Sequence, residues 1–297
     1  MKRKWFRIWV FGAVATVLGA FSAVAYEVTD ATQTRVEFPQ APARIVTLAP
    51  SLGELAADVL EQDISRIVGV SEYTDFPPGL KSVPSVGSYV RLNLEKIAVL
   101  KPDLILATRD GNERSQIVRL REMGYRVVVV ETGNFDQISA SFRIVAAALG
   151  RPDKGIRMAD SFQKGLTKLR RAKTSSRVLL QVGDDPLVVA GGESILSRVL
   201  EVLGFTNVYA DLRQGYPRPS REDVFKRSPD TVLILALGTD RAPYERMLKR
   251  WRELDSLPAV RAGRVKIVVA DALVRPTLRM LEGMALLERE LTAGKSP

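Results

Sequence analysis

Histidine and cysteine are both absent from the 297 residues. Their absence excludes a Ser-His-Asp triad, a thiol nucleophile, a zinc site built on thiolate or imidazole, and a cysteine-ligated iron–sulfur cluster. It also excludes a disulfide framework, which a chain of this size does not need. There is no Walker A loop, and no G-x-G-x-x-G follows a strand, so the two commonest phosphate-cradling motifs are missing. Lysine and arginine outnumber the acids 44 to 34, but they are scattered among those acids without a long basic block. A solvated surface accounts for that excess, and nucleic-acid binding is not expected. Enzymes resting on carboxylates, Tyr, Ser or Lys stay open, although no arrangement of these residues singles one out.

The chain begins with Lys2, Arg3, Lys4 and Arg7, followed by an apolar run from Ile8 to Ala20 and then Ala23-Val24-Ala25. A charged start, a short apolar middle and small residues at A-x-A spacing describe a cleaved secretory signal over residues 1–25. The run falls short of the roughly 20 residues of a spanning helix, so an uncleaved anchor is the lesser alternative. No cysteine follows it, which excludes a lipidated N-terminus, and a Gram-negative periplasm is the expected location. No later apolar stretch is long enough to span a bilayer. The remaining length suits two lobes, each with its own core.

The hydrophobic pattern predicts a hairpin over 26–30 and 34–38, then alternating strands and helices. Strands are expected at 44–49, 67–71, 103–108 and 126–131, and helices at 50–60, 93–100, 112–123 and 134–149. Ser51 with Glu54 three residues on reads as a capping box. Residues 153 to about 173 read as one long helix with an apolar stripe at Phe162, Leu166 and Leu169. Strands at 177–183, 188–190, 231–236 and 265–270 and helices at 194–203, 221–227, 243–254 and 277–293 follow. Asn207-Val208-Tyr209 is ambiguous. The alternation predicts an α/β fold of two Rossmann-like lobes with parallel sheets, joined by a long rigid helix. The corresponding boundaries are 26–152, 153–174 and 175–297.

One stretch occurs twice. Asn93-Leu94-Glu95 leads through Ile97 to Pro102-Asp103 and an apolar strand, and Ser220-Arg221-Glu222 leads through Val224 to Pro229-Asp230 and another. The copies lie 127 residues apart (222 − 95). Each describes a capped short helix, a proline stop and a buried strand. The glutamates complement their helix dipoles in the plainest reading.

Ligands of open parallel sheets bind beyond the carboxyl ends of the strands. The residues there are Tyr73 and Asp75, Thr108 and Arg109, Asp184 and Asp185, and the 270–275 loop. Ser88-Tyr89-Val90-Arg91 and Gly215-Tyr216-Pro217-Arg218, which precede the repeated helices, join them. Tyrosines with arginines suit a large, flat, partly anionic ligand.

At these residues the sequence resembles a known family. Arg44 to Ser51, Val68-Gly69-Val70-Ser71-Glu72-Tyr73-Thr74-Asp75-Phe76-Pro77-Pro78, Asn93-Leu94-Glu95 through Ile105, and Ser220-Arg221-Glu222 resemble the substrate-binding proteins of cobalamin, haem and ferric-siderophore ABC importers. Gly111-Asn112-Glu113-Arg114 and Gly192-Glu193-Ser194-Ile195 add to the match, which leans to the cobalamin binders and covers nearly all of the chain after the signal. The resemblance implies a ligand cleft between stiff lobes that close only slightly. It implies no catalysis and no resident cofactor or metal. A small-molecule metal chelate, foremost cobalamin or a related corrinoid, is captured in the periplasm by a monomer. The cargo is then delivered to a permease dimer with cytoplasmic ATPase subunits.

Carried over position by position, the resemblance makes Glu95 and Glu222 the acids that dock on the two permease subunits. It makes Tyr73, Tyr89, Arg91, Thr108, Arg109, Tyr216, Arg218, Asp271 and Arg275 the ligand-binding candidates. Tyr89, Thr108 and Tyr216 stand where the cobalamin binders carry tryptophan, which leaves the expected pocket less aromatic and richer in arginine. A ferric siderophore or haem therefore stays open, haem with an axial tyrosine from Tyr73, Tyr89 or Tyr216. An exported carboxylate-based hydrolase and a sensor on the same fold are the more distant alternatives.

Overall fold

The computed structural model describes residues 25–238 and 240–293. The signal segment expected at 1–25 lies outside them except for Ala25. The hairpin forms from β1 (Tyr26–Thr29) and β2 (Arg35–Phe38). The first lobe holds β3 (Ile45–Thr47), β4 (Ile67–Val70), β5 (Leu104–Thr108) and β6 (Val127–Val130) in one parallel sheet, ordered β4-β3-β5-β6. The second holds β7 (Arg177–Gly183), β8 (Val188–Val189), β9 (Thr206–Asn207), β10 (Thr231–Ala236) and β11 (Val265–Val269). Its path is β11-β10-β7-β8; β9 pairs in parallel with the start of β7, and β8 is antiparallel to it. The order β3-β5-β6 of one lobe thus recurs as β7-β10-β11 in the other.

The helices are α1 (Pro50–Leu60), α2 (Leu94–Leu100), α3 (Arg114–Glu122), α4 (Phe135–Ala148), α5 (Pro152–Leu169), α6 (Ile195–Val202), α7 (Arg221–Arg227), α8 (Ala242–Arg252), α9 (Pro258–Arg261) and α10 (Met280–Thr292). Short α9 was not anticipated. Among the described residues, no helix is long and apolar enough to cross a membrane.

Strand alternation divides the interior. Ile105, Ala107, Val127 and Val129 face one cluster on the far side of the first sheet, and Leu179, Val232 and Ile234 face another on the far side of the second. Their neighbours Leu104, Leu106, Val128, Leu180, Leu233 and Leu235 all belong to a single third cluster. That cluster runs from one lobe to the other beneath α1, α4, α5, α6 and α10. The two lobes thus share one close-packed core.

Helix α5 packs against α4 of the first lobe and α10 of the second. Met158, Ala159, Phe162 and Leu166 are buried, and Phe162 meets the Phe142 ring edge-on at 5.4 Å. A Cβ on Gly155 would stand 2.7 Å from the Phe142 carbonyl oxygen, so the glycine permits the close crossing of α4. The helix ends at Leu169, short of the expected residue 173, where Arg170 turns extended.

Two local expectations need correction. Ala49, not Ser51, is the N-cap of α1, and no side chain caps it. Glu54 is fully buried and faces the other lobe. Likewise α10 starts at Met280 rather than 277, because residues 271–279 cross the junction before the helix begins.

Candidate functional site

The repeated stretch is a repeat in three dimensions. Helices α2 and α7 each span seven residues; Asn93 caps the first through Lys96 N at 2.8 Å, and Ser220 the second through Asp223 N at 3.2 Å. Both end on a left-handed residue with φ of 46°, Lys101 and Ser228. Glu95 and Glu222 occupy the second position of their helices and are exposed. Glu222 pairs with Lys226 at 2.8 Å; Glu95 has no ion pair among the described residues.

Helices that precede a parallel strand start at the carboxyl edge of the sheet, so the loops before α2 and α7 lie at that edge, where open parallel sheets bind ligands. Tyr89 sits at the tip of the first loop. Asn112 fixes it, donating to the carbonyls of Tyr89 at 2.6 Å and Leu48 at 2.9 Å while accepting Thr108 N at 2.8 Å. The Tyr89 ring lies against Gly111, where a Cβ would come within 2.0 Å of a ring carbon. Tyr216 is placed from the other lobe. Gly191 and Gly192 donate to the carbonyls of Gly215 at 2.8 Å and Leu212 at 3.1 Å, and a Cβ on Gly191 would strike the Gln214 carbonyl at 2.2 Å.

Tyr216 is half exposed, yet burial pushes its phenol above the ordinary value, and the Tyr89 phenol pushes it further. The two tyrosines therefore lie within electrostatic range of each other, one from each lobe.

Tyr73 follows β4 in a left-handed conformation (φ 63°) with 81% of its surface exposed. Its carbonyl accepts from Arg275 Nη2 at 3.4 Å, and Arg275 also pairs with Asp75 at 2.6 Å. The carboxyl edges of the two sheets thus meet at this contact. Arg91 and Arg218 are exposed, and among the described residues their guanidinium groups have no partner.

Other candidates are turned elsewhere. Thr108 is 7% exposed, and its hydroxyl is committed to the turn at Asp110. Arg109 pairs with Glu131 and lines a groove with the hairpin turn at 31–34, without Tyr73 or Tyr216. Asp271 accepts Gly238 N at 3.1 and 3.2 Å, bracing that loop. Arg275 itself is mostly covered by its acidic partners. Asp184 pairs with Arg250 at 2.8 Å. Sequence reasoning missed that Asn112 holds the Tyr89 carbonyl, 23 residues away, and that Glu54 bonds to Arg279, 225 residues away. The match at Gly111-Asn112 was the only signal for the first.

Comparison with known proteins fits this geometry. A family model described as periplasmic binding protein matches residues 45–272. The vitamin B12-binding protein of Salmonella typhi is 34% identical over 220 residues, covering 73% of this chain and 80% of its own length. The solved periplasmic vitamin B12 binding protein of Vibrio cholerae has a TM-score of 0.75 at 28% identity, over 86% of this chain and 99% of that one. A periplasmic haem-binding protein from Pseudomonas aeruginosa gives a TM-score of 0.70 at 25% identity, over 84% and 92%.

Proposed function

The chain belongs to the periplasmic binding protein family, and from that premise we propose that it captures cobalamin or a related corrinoid and delivers it to an ABC importer. The observation that carries this reading is the likeness to vitamin B12-binding proteins in both sequence and structure. The exposed rings of Tyr89 and Tyr216 support it, since one ring from each lobe offers apolar area to a flat macrocycle. Tyr73 adds a third ring at the rim, and Arg91 and Arg218 add cations for peripheral polar groups.

In this reading the chain is a monomer exported by the segment at 1–25, with lobes at 26–152 and 175–297 about a connector at 153–174. Glu95 and Glu222 dock on the two subunits of a permease dimer whose cytoplasmic ATPases drive transport. The recurrence of cap and acid in both lobes supports a partner with two related subunits. The relatives are binding proteins, and the chain is given no catalytic residue and no cofactor or metal of its own.

An iron chelate is the second reading, favoured by two unpartnered arginines at the cleft. Haem in particular would need a tyrosine such as Tyr73 as its axial ligand. Calorimetric titration of the purified protein with cyanocobalamin, haemin and a ferric hydroxamate separates them. Saturable heat with cyanocobalamin is expected; silence there with tight binding of an iron compound would overturn the corrinoid reading.

A further inference from the structure

Glu54 is a carboxylate in the middle of α1, flanked by the buried apolar residues Leu52, Leu55, Ala56 and Ala57, and it is itself 0% exposed. A buried carboxylate needs close partners of opposite charge or strong donors. Each hydrogen-bond partner of its side chain comes from the other lobe. Thr277 Oγ1 donates to Oε1 at 2.5 Å, Arg279 Nη1 donates to Oε2 at 2.9 Å, and Arg275 Nη1 stands 3.8 Å from Oε2.

Both arginines continue past Glu54 to one loop of the first lobe. Arg275 Nη2 reaches Asp75 at 2.6 Å and the Tyr73 carbonyl at 3.4 Å, and the Arg279 guanidinium lies 3.7 Å over the Phe76 ring. Within its own lobe the loop is tied by short-range bonds, Ser71 to Thr74 at 3.1 Å between hydroxyls and Glu72 N to the Gly87 carbonyl at 2.8 Å. Tyr73 holds a backbone conformation that non-glycine residues seldom adopt. The cross-lobe arginines are what meet the loop from the opposite side. Without Glu54, Arg279 would lose its ion pair and Arg275 would keep Asp75 as its ion-pair partner among the described residues.

We propose that Glu54 is a positioning residue for the ligand cleft: by holding Arg275 and Arg279 at the lobe junction, it sets the pose of the Tyr73–Phe76 loop and through it the affinity for ligand. The affinity part rests on the corrinoid reading above; the loop part does not. Glu54 thereby couples the core of one lobe to the rim of the cleft through side chains of the other.

The test is amide hydrogen exchange on ligand-free protein, paired with cyanocobalamin calorimetry, for wild type, Glu54→Gln and Asp75→Asn. Glu54→Gln keeps the shape and removes the charge. Asp75 is half exposed at its side chain, so Asp75→Asn loosens the same loop without touching the core. The expected result is at least tenfold faster exchange in residues 72–76 of both variants, with β3, β5, β7 and β10 unchanged, and cyanocobalamin affinity lowered about tenfold. Exchange that stays at the wild-type rate in the loop, or that rises equally in all four strands, would overturn the proposal. Were Glu54→Gln not to fold, wild-type loop exchange and affinity in Asp75→Asn would overturn it alone. Should wild type bind no cyanocobalamin, the corrinoid reading fails, while the exchange comparison still decides the role of Glu54.

Discussion

The Asp103 carboxylate accepts the backbone N–H of Arg44 at 2.8 Å, and its own N–H donates to the Arg44 carbonyl at 2.9 Å. In the second lobe Asp230 does the same with Arg177, at 2.8 and 2.9 Å. In each case the aspartate ends a helix-to-strand turn and clips it to the start of a central strand, β3 or β7. This reciprocal pair defines where each repeated helix sits relative to its sheet, and so where Glu95 and Glu222 point.

Truncating these anchors should cost stability unequally. Asp103 also accepts Ala43 N at 2.7 Å, so it satisfies two backbone donors where Asp230 satisfies one. Asp103→Ala is expected to lose about 2 kcal/mol and Asp230→Ala about 1 kcal/mol in urea unfolding. Equal losses would show that the second bond contributes nothing.

The docking role of the acids is expected to separate from ligand capture. Glu95→Ala combined with Glu222→Ala should abolish ligand uptake in cells while leaving calorimetric affinity at the wild-type value. The exposed Glu222–Lys226 pair contributes little to stability, at most about 0.5 kcal/mol, so the melting temperature should barely move. A fall in affinity would place the glutamates in the pocket or the fold instead.

Gly111 gives a way to move Tyr89 without altering it. The added methyl of Gly111→Ala would overlap the Tyr89 ring and displace it, since the ring is the freer partner. Ligand affinity is expected to fall roughly tenfold, about 1.4 kcal/mol, with circular dichroism and melting unchanged. Wild-type affinity in this variant would remove Tyr89 from the contact surface.

Asp58, one turn after Glu54 on α1, should tune stability with pH. Burial first, then the Glu54 charge, pushes its carboxyl up to about 6, against the opposing pull of Lys154 and Arg279. A carboxyl raised on folding binds more protons in the native than in the unfolded state between its ordinary value and about 6. Its contribution therefore opposes folding above that window and is relieved as pH falls through it. Asp58→Asn should stabilise the protein at pH 7.5 by about 1 kcal/mol, after allowing for solvent screening of a partly open group. The gain should vanish near pH 4 in parallel thermal melts; a gain independent of pH would point to packing rather than charge.

What the sequence determined by itself rests on interactions of short range. Helix α1 spans the expected residues 50–60, and α7 the expected 221–227, because a proline or a capping side chain and a run of apolar spacing act within one or two turns. The buried strands β5 and β10 were legible as apolar runs, and the recurrence of Asn93 and Ser220 with their following acids revealed two lobes of one plan. The tertiary structure decided which polar side chains remain available to a ligand. Glu54 has the spacing of a capping residue, yet it bonds to Thr277 and Arg279, 223 and 225 residues away. Thr108 and Arg109 stand at a strand end, the right place for a ligand contact, but Asp110 and Glu131 take them. Arg275 is drawn to Asp75 and Glu54 across the junction. The physical reason is that a charge or donor pairs with whatever the fold brings within about 3 Å, and separation along the chain does not report that distance.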